Sequence, residues 1–581
     1  MTWNTHKFDK KIKDTETGVI RKKWNGRIKV ALVYPNTYHV GMSNLGFQAV
    51  YELINTFEHV VCERSFLPDN HSGKTERITT TESGNPVSAF DLIAFSVSYE
   101  NDYPNLLTIL EKAKLPLQSK DRGIPHPLVI AGGVAFFLNP EPLASFIDCF
   151  LIGEAEAILP RFFDTVSHDL LARDRRSCLH TLARESPGVY VPSFYKAAYH
   201  SDGTLDAFEP ISDVPDKVER QYVEDLSRIS TCSPIITPDT IFDNTFLIEV
   251  SRGCPHGCRF CGTGFVYRPP RFRPFSLLKG CMEQGASKTN KIGLVGAAVS
   301  DLPDLDKICG QEFETDARLS FSSLRADALT PELLSTLKKS KTKTATIAPD
   351  AGSERMRNVI NKGISETDIL NAAEQIVNVG IPNIKLYFMV GLPTETMDDV
   401  EAIVTLCKKI KHQFLKSSRA KKRMGEITIS LNSFVPKPFT PFQWVDMDDV
   451  HVLKEKIKKV KNGLKRVANV RVHADIPRWA YIQALLSRGD RKVAQLLSLV
   501  NTNQGNWPNT FKSSPINPDF YVLRERSLDE LLPWDFIDHG IDKSFLKTEY
   551  KRALQGKTSP PCPMESCNIC GVCKEKVKSE T

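Results

Sequence analysis

The sequence predicts an α/β protein: an N-terminal doubly wound parallel sheet, then a partial or full (β/α) barrel, then a small Cys-containing C-terminal region. Three observations carry this. Apolar runs without polar alternation recur between amphipathic stretches, the pattern of parallel strands covered on both faces. The alternation occurs as two series, separated by an irregular segment rich in breakers. A chain of 581 residues also exceeds what one core serves. The expected boundaries are 1–190 for the doubly wound domain, 191–243 for a linker, 244–480 for the barrel and 481–581 for the C-terminal region.

The first series opens with the strand "IKVALVYP" (28–35), followed by helical spacing in "GMSNLGFQAVYELINTF". A weaker strand "HVVCERS" comes next, then "DLIAFSVS" (91–98) and the helical "DYPNLLTILEKAK". "PLVIAGG" (127–133) and "CFLIGE" (149–154) complete the strands, and "AEAILPRFFDTVSHDLLA" reads as a closing helix. Ligands of such a sheet sit at the carboxyl ends of its strands. Those ends carry "YPNTYHVGMSNLG", "SVSYEN" and "AGGVAFFLNPEP", so Asn36, Tyr38, Ser96, Gly132 and Gly133 are the candidate contacts for a large flat or phosphate-bearing ligand.

"PISDVPDK" and "TCSPIITPDT" mark the linker. The second series runs through "TFLIEVSRGC", "KIGLVGAAVSD", "LSFSSLRAD", "TATIAPDAGSE", "NIKLYFMVGLP" and "EITISLNSFVP", six strands with intervening helices. One helix is well signed: Ser365 caps it, Ile364 and Ile369 staple across the cap, and Gly380 ends it. Chemistry belongs at the strand carboxyl ends, and Cys254 follows the first strand at once.

Composition is that of a globular protein, and no run of eighteen apolar residues suggests membrane insertion. The start, "MTWNTHKFDKKIK", lacks a secretory apolar core, so a cytoplasmic location is expected. There, clustered cysteines more often bind metal than pair as disulfides. Of fourteen cysteines, Cys62, Cys149, Cys178, Cys232, Cys281, Cys309 and Cys407 stand singly and read as inert packing residues. Net charge is +7, with eight Lys/Arg and no acid from Lys408 to Arg423 and a second basic stretch from Lys454 to Arg471. A solvated helix face explains such runs, and contact with a polyanion such as RNA is the alternative.

Cys254-x3-Cys258-x2-Cys261 does not complete a structural zinc site, which takes four ligands. His256 lies inside the loop and reads as a loop residue. A cubane [4Fe–4S] cluster has four irons, so three cysteines leave one iron open to a small molecule.

That spacing, with Phe260 before the third cysteine, resembles the radical S-adenosylmethionine (SAM) superfamily. The resemblance implies a radical SAM enzyme: SAM chelates the open iron, and its reductive cleavage yields methionine and a 5′-deoxyadenosyl radical. It further implies Cys254, Cys258 and Cys261 as the catalytic cluster ligands, and Gly296 and Ala297 in a glycine-rich loop at the SAM amino group. Ser322 and Arg325 would meet the SAM carboxylate and ribose, Glu354 would lie near the ribose and amino group, and Gly391 beside the adenine. With "FVPKPFTPFQW" and "LPWDFIDHGIDKSFLKTEY", the whole chain resembles the uncharacterised radical SAM proteins that carry a cobalamin-binding domain. Cobalamin between sheet and barrel, and methyl transfer to an unactivated centre, are then expected. Radical rearrangement, oxidation or sulfur insertion, including on RNA, are the alternatives. The Asp-x-His-x-x-Gly motif whose histidine ligates cobalt is absent, and "DNHSGK" (Asp69–Lys74) misses it by one residue. His39 reads as a loop histidine.

Cys562-x4-Cys567-x2-Cys570-x2-Cys573 supplies four thiolates, enough for a second Fe–S cluster or for zinc. Arg268, Arg271 and Arg273 either meet phosphates or pair with barrel carboxylates. A reducing partner such as flavodoxin or ferredoxin is expected. A non-catalytic zinc- and RNA-binding protein is the reading from another class.

Overall fold

The computed structural model describes residues 15–69, 77–297, 299–313, 315–322, 324–419, 425–564 and 567–573. The reading of the N-terminal thirteen residues, most of "DNHSGK" and the end of the first basic run (420–423) lie outside the described residues.

Five parallel strands form where the first series places them: β1 (Ile28–Tyr34), β2 (Val60–Phe66), β3 (Leu92–Ser96), β4 (Leu128–Gly132) and β5 (Cys149–Leu151). A short β6 (Val189–Tyr190) adds antiparallel to β5, giving the order β2-β1-β3-β4-β5-β6. Strand order reverses between β1 and β3, so the crevice of this doubly wound sheet opens at their carboxyl ends. Almost every residue of β3, β4 and β5 is buried, because helices cover both faces. At the end of β4 the chain turns through Gly133 (φ +115°), where a Cβ would stand 2.3 Å from the Val97 carbonyl oxygen.

Two expected helices are broken. Helix Leu45–Thr56 starts afresh because Asn44 accepts a hydrogen bond from the Phe47 backbone N–H. Likewise Ala155–Thr165 ends before Ser167, whose hydroxyl caps a separate short helix.

The expected linker is folded. It contains an antiparallel hairpin, β7 (Tyr195–Tyr199) with β8 (Leu205–Pro210), and β9 (Val218–Glu219). β9 pairs with β19 (Ile537–Asp538), more than 300 residues away, which local sequence cannot signal. Its last part runs antiparallel along the first barrel strand through the bridge of Cys232 with Ile248.

The barrel contains β10 (Phe246–Glu249), β13 (Lys291–Val295), β14 (Arg318–Phe321), β15 (Thr344–Asp350), β16 (Asn383–Val390), β17 (Ile427–Ser433) and β18 (Val470–Ala474), all parallel. β18 is a seventh strand beyond the six expected. A parallel bridge from Leu324 to Ile347 joins β10-β13-β14 to β15-β16-β17-β18, making one open curved barrel. A two-residue ribbon, β11 (Ser251–Arg252) against β12 (Arg271–Phe272), closes the neck of the loop that holds the three cysteines. β16 and β17 alternate strictly between buried and half-exposed residues, so one face packs under helices and the other lines an open lumen. Helix Glu366–Asn378 has the expected Ser365 cap, completed by Asp368 as a reciprocal capping box.

The expected boundary at 480/481 falls inside helix Pro477–Arg488. This helix joins the barrel side to the N-terminal sheet, since Asn139 donates to the carbonyls of Ser487 (3.1 Å) and Gly489 (2.7 Å).

Candidate active site: the three-cysteine loop and the barrel lumen

The loop between β11 and β12 begins at Gly253 (φ +81°), where a Cβ would stand 2.6 Å from the Tyr267 carbonyl oxygen. Its second half is wound tightly: the Cys261 N–H donates to the Cys258 carbonyl (3.0 Å) and the Gly264 N–H to that of Cys261 (3.1 Å). Cys254, Cys258 and Cys261 are free and half-buried on this frame. Burial pushes the Cys254 thiol up to about 12 and the Cys261 thiol up to about 11, each reinforced by its neighbouring thiols. Burial also raises Cys258, against the pull of Lys362. Thiols so placed ionise when a cation takes the charge, which is what metal binding supplies. Among the described residues, no three Cys, His, Asp or Glu side chains are drawn together into metal-coordinating geometry. The fit to an iron–sulfur cluster therefore rests on the donor set: three thiols on one loop, with the Lys362 and Arg325 cations acting on Cys258.

The loop is held from outside. Arg259, wholly buried, donates to the carbonyls of Asn358 (3.0 Å), Val359 (2.9 Å) and Lys557 (2.8 Å) and to Glu549 (3.0 Å). Asn361 donates to the Gly257 carbonyl (3.2 Å), and the Cys562 N–H to that of Pro255 (2.7 Å). His256 pairs with Asp301 (3.0 Å), as a loop residue.

Phe260 points to a cavity of about 530 Å³ at the carboxyl ends of β14–β17, lined also by Ser322, Thr346, Ala348, Asp350, Tyr387, Phe388, Met389 and Asn432. Of the residues expected to meet SAM, Ser322 lines this cavity and donates to the Gly296 carbonyl (3.1 Å), bringing two of them together. Arg325 pairs with Asp327 (2.8 Å) beside Cys258. Gly391 (φ +84°) forms the turn two residues beyond Met389. Two of the expected residues stand outside this lining. Ala297 is exposed and absent from it. Glu354 is exposed as well, because the chain turns at Asp350 (φ +62°) and places Glu354 on the outer first turn of a helix. Asp350 takes the inward position, paired with Lys362 (2.6 Å). Asp350, Lys362, Tyr387 and Asn432 escaped the sequence reading. The alternation Lys385-Tyr387-Met389 and Thr428-Ser430-Asn432 was the signal that could have shown a lined lumen.

The carboxyl edge of the N-terminal sheet lies against this loop. A Cβ on Gly262 would stand 3.3 Å from Leu138, and the rings of Phe137 and Tyr267 lie 5.8 Å apart. Glu100 bridges the two domains, pairing with Lys437 (2.5 Å) and accepting from Gln483 (3.0 Å). Asn36 donates to Asp102 (2.8 Å), and Ser96, Gly132 and Gly133 are half-buried along the same edge. Tyr38 is 3% exposed, with its hydroxyl directed to Glu16 and Thr237. His39 pairs with Asp239 (2.9 Å). The sequence reading also missed Asn101, whose Oδ1 is buried without a hydrogen-bond partner while its amide group donates to Tyr99 and to the Trp479 carbonyl. Tyr99 and Trp479 are 44% and 46% exposed.

Of the two readings of the arginines, carboxylate pairing holds for two. Arg271 pairs with Glu154 (2.7 Å) and Arg273 with Glu249 (2.7 Å). Arg252 joins them, bonded to Glu154 (2.8 Å), Glu156 (2.9 Å) and Glu249 (2.8 Å), which clamps the end of β5 to the neck of the cysteine loop. Burial works to raise the Glu154 carboxyl, but Arg271 and Arg252 hold it below the usual range. In the basic runs, Lys409 pairs with Glu366, Lys459 with Glu401 and Lys456 with Glu395, so several of these charges are neutralised within the fold. Among the described residues no helix is long and apolar enough to cross a membrane.

A parallel barrel whose first strand leads into a three-thiol loop over an open lumen fits the donor set of an iron–sulfur enzyme with room for a small co-substrate beside its cluster. The chain belongs to the radical SAM superfamily: that family's description matches residues 248–407, and the description of radical SAM N-terminal regions matches residues 46–192. An uncharacterised protein of Methanocaldococcus jannaschii is 30% identical over 528 residues, 89% of this chain and 98% of its own. A hopanoid C-3 methylase of Methylococcus capsulatus is 24% identical over 240 residues, 41% of this chain and 38% of its own. The solved structure of the radical SAM methyltransferase TsrM of Kitasatospora setae, with cobalamin and a [4Fe–4S] cluster bound, superposes with a TM-score of 0.49 at 13% identity, covering 84% of this chain and all of that one. Membership in the superfamily implies a [4Fe–4S] cluster and SAM at the cysteine loop.

Proposed function

We propose that this radical SAM enzyme is a cobalamin-dependent methyltransferase acting on an unactivated centre. The observation that carries the reading is the crevice between the sheet edge and the barrel. There Asn101 keeps an unpartnered buried acceptor while its amide donates to the Tyr99 hydroxyl and the Trp479 carbonyl, and both aromatic residues are exposed. Exposed aromatic faces with a few convergent polar groups suit a large flat ligand. Bound there, cobalamin would carry a methyl group from SAM to the acceptor. Because "DNHSGK" does not supply the cobalt-ligating motif, the reading includes no histidine from that motif below the cobalt.

The chain's own residues bind and position. Cys254, Cys258 and Cys261 hold the cluster, Ser322 and the Gly296 carbonyl offer polar contacts to SAM, and Asp350, held by Lys362, places a carboxylate at the lumen wall. The methylase named among the relatives supports methyl transfer as the outcome. The test is anaerobic reconstitution with cobalamin, followed by single-turnover analysis of SAM products. The expected result is bound cobalamin with a burst of S-adenosylhomocysteine that depends on it. Cobalamin that fails to bind, or that binds without changing a product spectrum of 5′-deoxyadenosine alone, would overturn the reading in favour of rearrangement, oxidation or sulfur insertion.

A further inference from the structure

The four C-terminal cysteines have a definite address in the fold. The Cys562 N–H donates to the carbonyl of Pro255, the residue after Cys254, at 2.7 Å. Covalent geometry then limits the Cα atoms of Cys562 and Cys254 to within about 11 Å of each other. The other three lie in the same neighbourhood, though their side chains are not drawn into metal-coordinating geometry. Cys570 is 3% exposed and its carbonyl accepts from the Asp542 N–H (2.8 Å). Gly571 (φ +96°) turns the chain where a Cβ would meet Asp542 at 2.8 Å. Cys573 lies within electrostatic reach of Cys562, Cys567 and Cys570, and Cys562 within that of Cys567 and Cys570. The segment leading into the tail is fixed as well: the Ser559 N–H donates to Asn361 (2.8 Å) and its hydroxyl to Glu549 (2.7 Å), both tied to the catalytic loop.

A second observation concerns Arg268, the one arginine of its stretch that pairs with no described carboxylate. It is 6% exposed, donates to the Gly264 carbonyl (3.0 Å) beside Cys261, and acts electrostatically on Cys562. Its guanidinium is sandwiched between the rings of Phe265 (4.6 Å) and Phe545 (5.3 Å). A buried cation with no carboxylate partner among the described residues is matched by negative charge from another source, and Cys562, on which it acts, supplies that charge once its thiol is ionised.

We propose that Cys562, Cys567, Cys570 and Cys573 hold a second [4Fe–4S] cluster that relays an electron past Arg268 to the cluster at Cys254, Cys258 and Cys261. Zinc suits the same four thiols but carries no electron. A position abutting the residue next to a catalytic ligand is within single-step tunnelling range. One electron from a low-potential flavin or iron–sulfur protein reduces the C-terminal cluster. That electron then passes to the catalytic cluster, reoxidising the first, and neither step makes or breaks a bond or moves a proton. The inference rests on the radical SAM assignment and is independent of methyl transfer.

The test uses the full chain, reconstituted anaerobically, and the variant C254A/C258A/C261A. The variant is expected to retain about four irons and four sulfides per chain, with an EPR signal on reduction that SAM does not perturb. In the unsubstituted protein, photoreduction should give two signals broadened by mutual spin coupling. With flavodoxin and its reductase as donor, C562A/C567A/C570A/C573A should cleave SAM at least tenfold more slowly than the unsubstituted protein, while a small diffusible reductant narrows the gap. Iron-free variant protein, or one holding zinc instead, overturns the proposal. So do two signals without coupling. Should the unsubstituted protein fail to cleave SAM, the radical SAM reading fails, while iron in the triple variant still reports on the second site.

Discussion

The two sheets differ in how their strands meet the interior. In the N-terminal sheet β3 and β4 are buried from end to end until their final, half-buried residues, whereas β16 and β17 bury only every second residue. A strand covered on both faces has no room for a ligand along its length, so the N-terminal sheet can bind only at its carboxyl edge. A strand with one open face lines a lumen. The barrel therefore offers Ser322, Thr346, Tyr387 and Asn432 along its wall, and the sheet offers Asn101 and its aromatic neighbours at a rim.

The largest expected effect sharpens the chemical side of that contrast. Cys258→Ala should abolish SAM cleavage and the iron–sulfur absorbance of the catalytic site while leaving the circular dichroism unchanged, since the thiol is half-buried on a loop. Retained cleavage would break the assignment.

Paired substitutions test the packing side. Phe150→Ala, in the fully buried β5, should cost about 3–5 kcal/mol in denaturant unfolding. Tyr387→Ala, on the lumen wall, should cost less than about 1 kcal/mol yet weaken SAM or substrate binding, read by calorimetry. Equal stability losses at both sites would refute the difference in cover.

Between the two regions stands the Glu154 clamp. Glu154→Gln should destabilise the protein by about 2 kcal/mol at pH 7, because Arg271 loses its carboxylate while Arg252 keeps Glu156 and Glu249. The folded-state pKa of Glu154 is depressed, so its contribution is present above the unfolded value of about 4.3 and is lost as pH falls through the folded value. The variant should thus converge on the unsubstituted protein in acid.

A pH-dependent effect is expected at the sheet edge. Burial raises the Asp102 carboxyl to about 6, with Asn36 opposing the shift through its hydrogen bond. An acid raised in the folded state loses stability as pH climbs from about 3.9 to 6. Asp102→Asn should therefore stabilise the protein by about 1–2 kcal/mol at pH 8 and be neutral near pH 4. A flat difference across that range would show that the edge is solvated.

Much of this was legible from residues near one another in the chain. The three-cysteine loop, the five strands of the doubly wound sheet and the Ser365 cap each depend on spacings of two to seven residues. The inward faces of β16 and β17 were written in the sequence too, as period-two polar residues, but long apolar runs masked them. Fine placements were not legible where the next turn decides direction, as at Asp350, whose turn precedes the exposed Glu354.

The sequence by itself determined what can ligate metal and which segments are strands, since donor chemistry and side-chain periodicity are local properties. Only the tertiary structure decided who meets whom. It committed Arg252 and Arg271 to Glu154, paired the Tyr38 hydroxyl with Thr237, folded the expected linker onto β19, and seated Cys562 against Pro255. Most of these contacts join residues a hundred or more positions apart, and they form because buried charges and backbone groups must find partners across the whole chain.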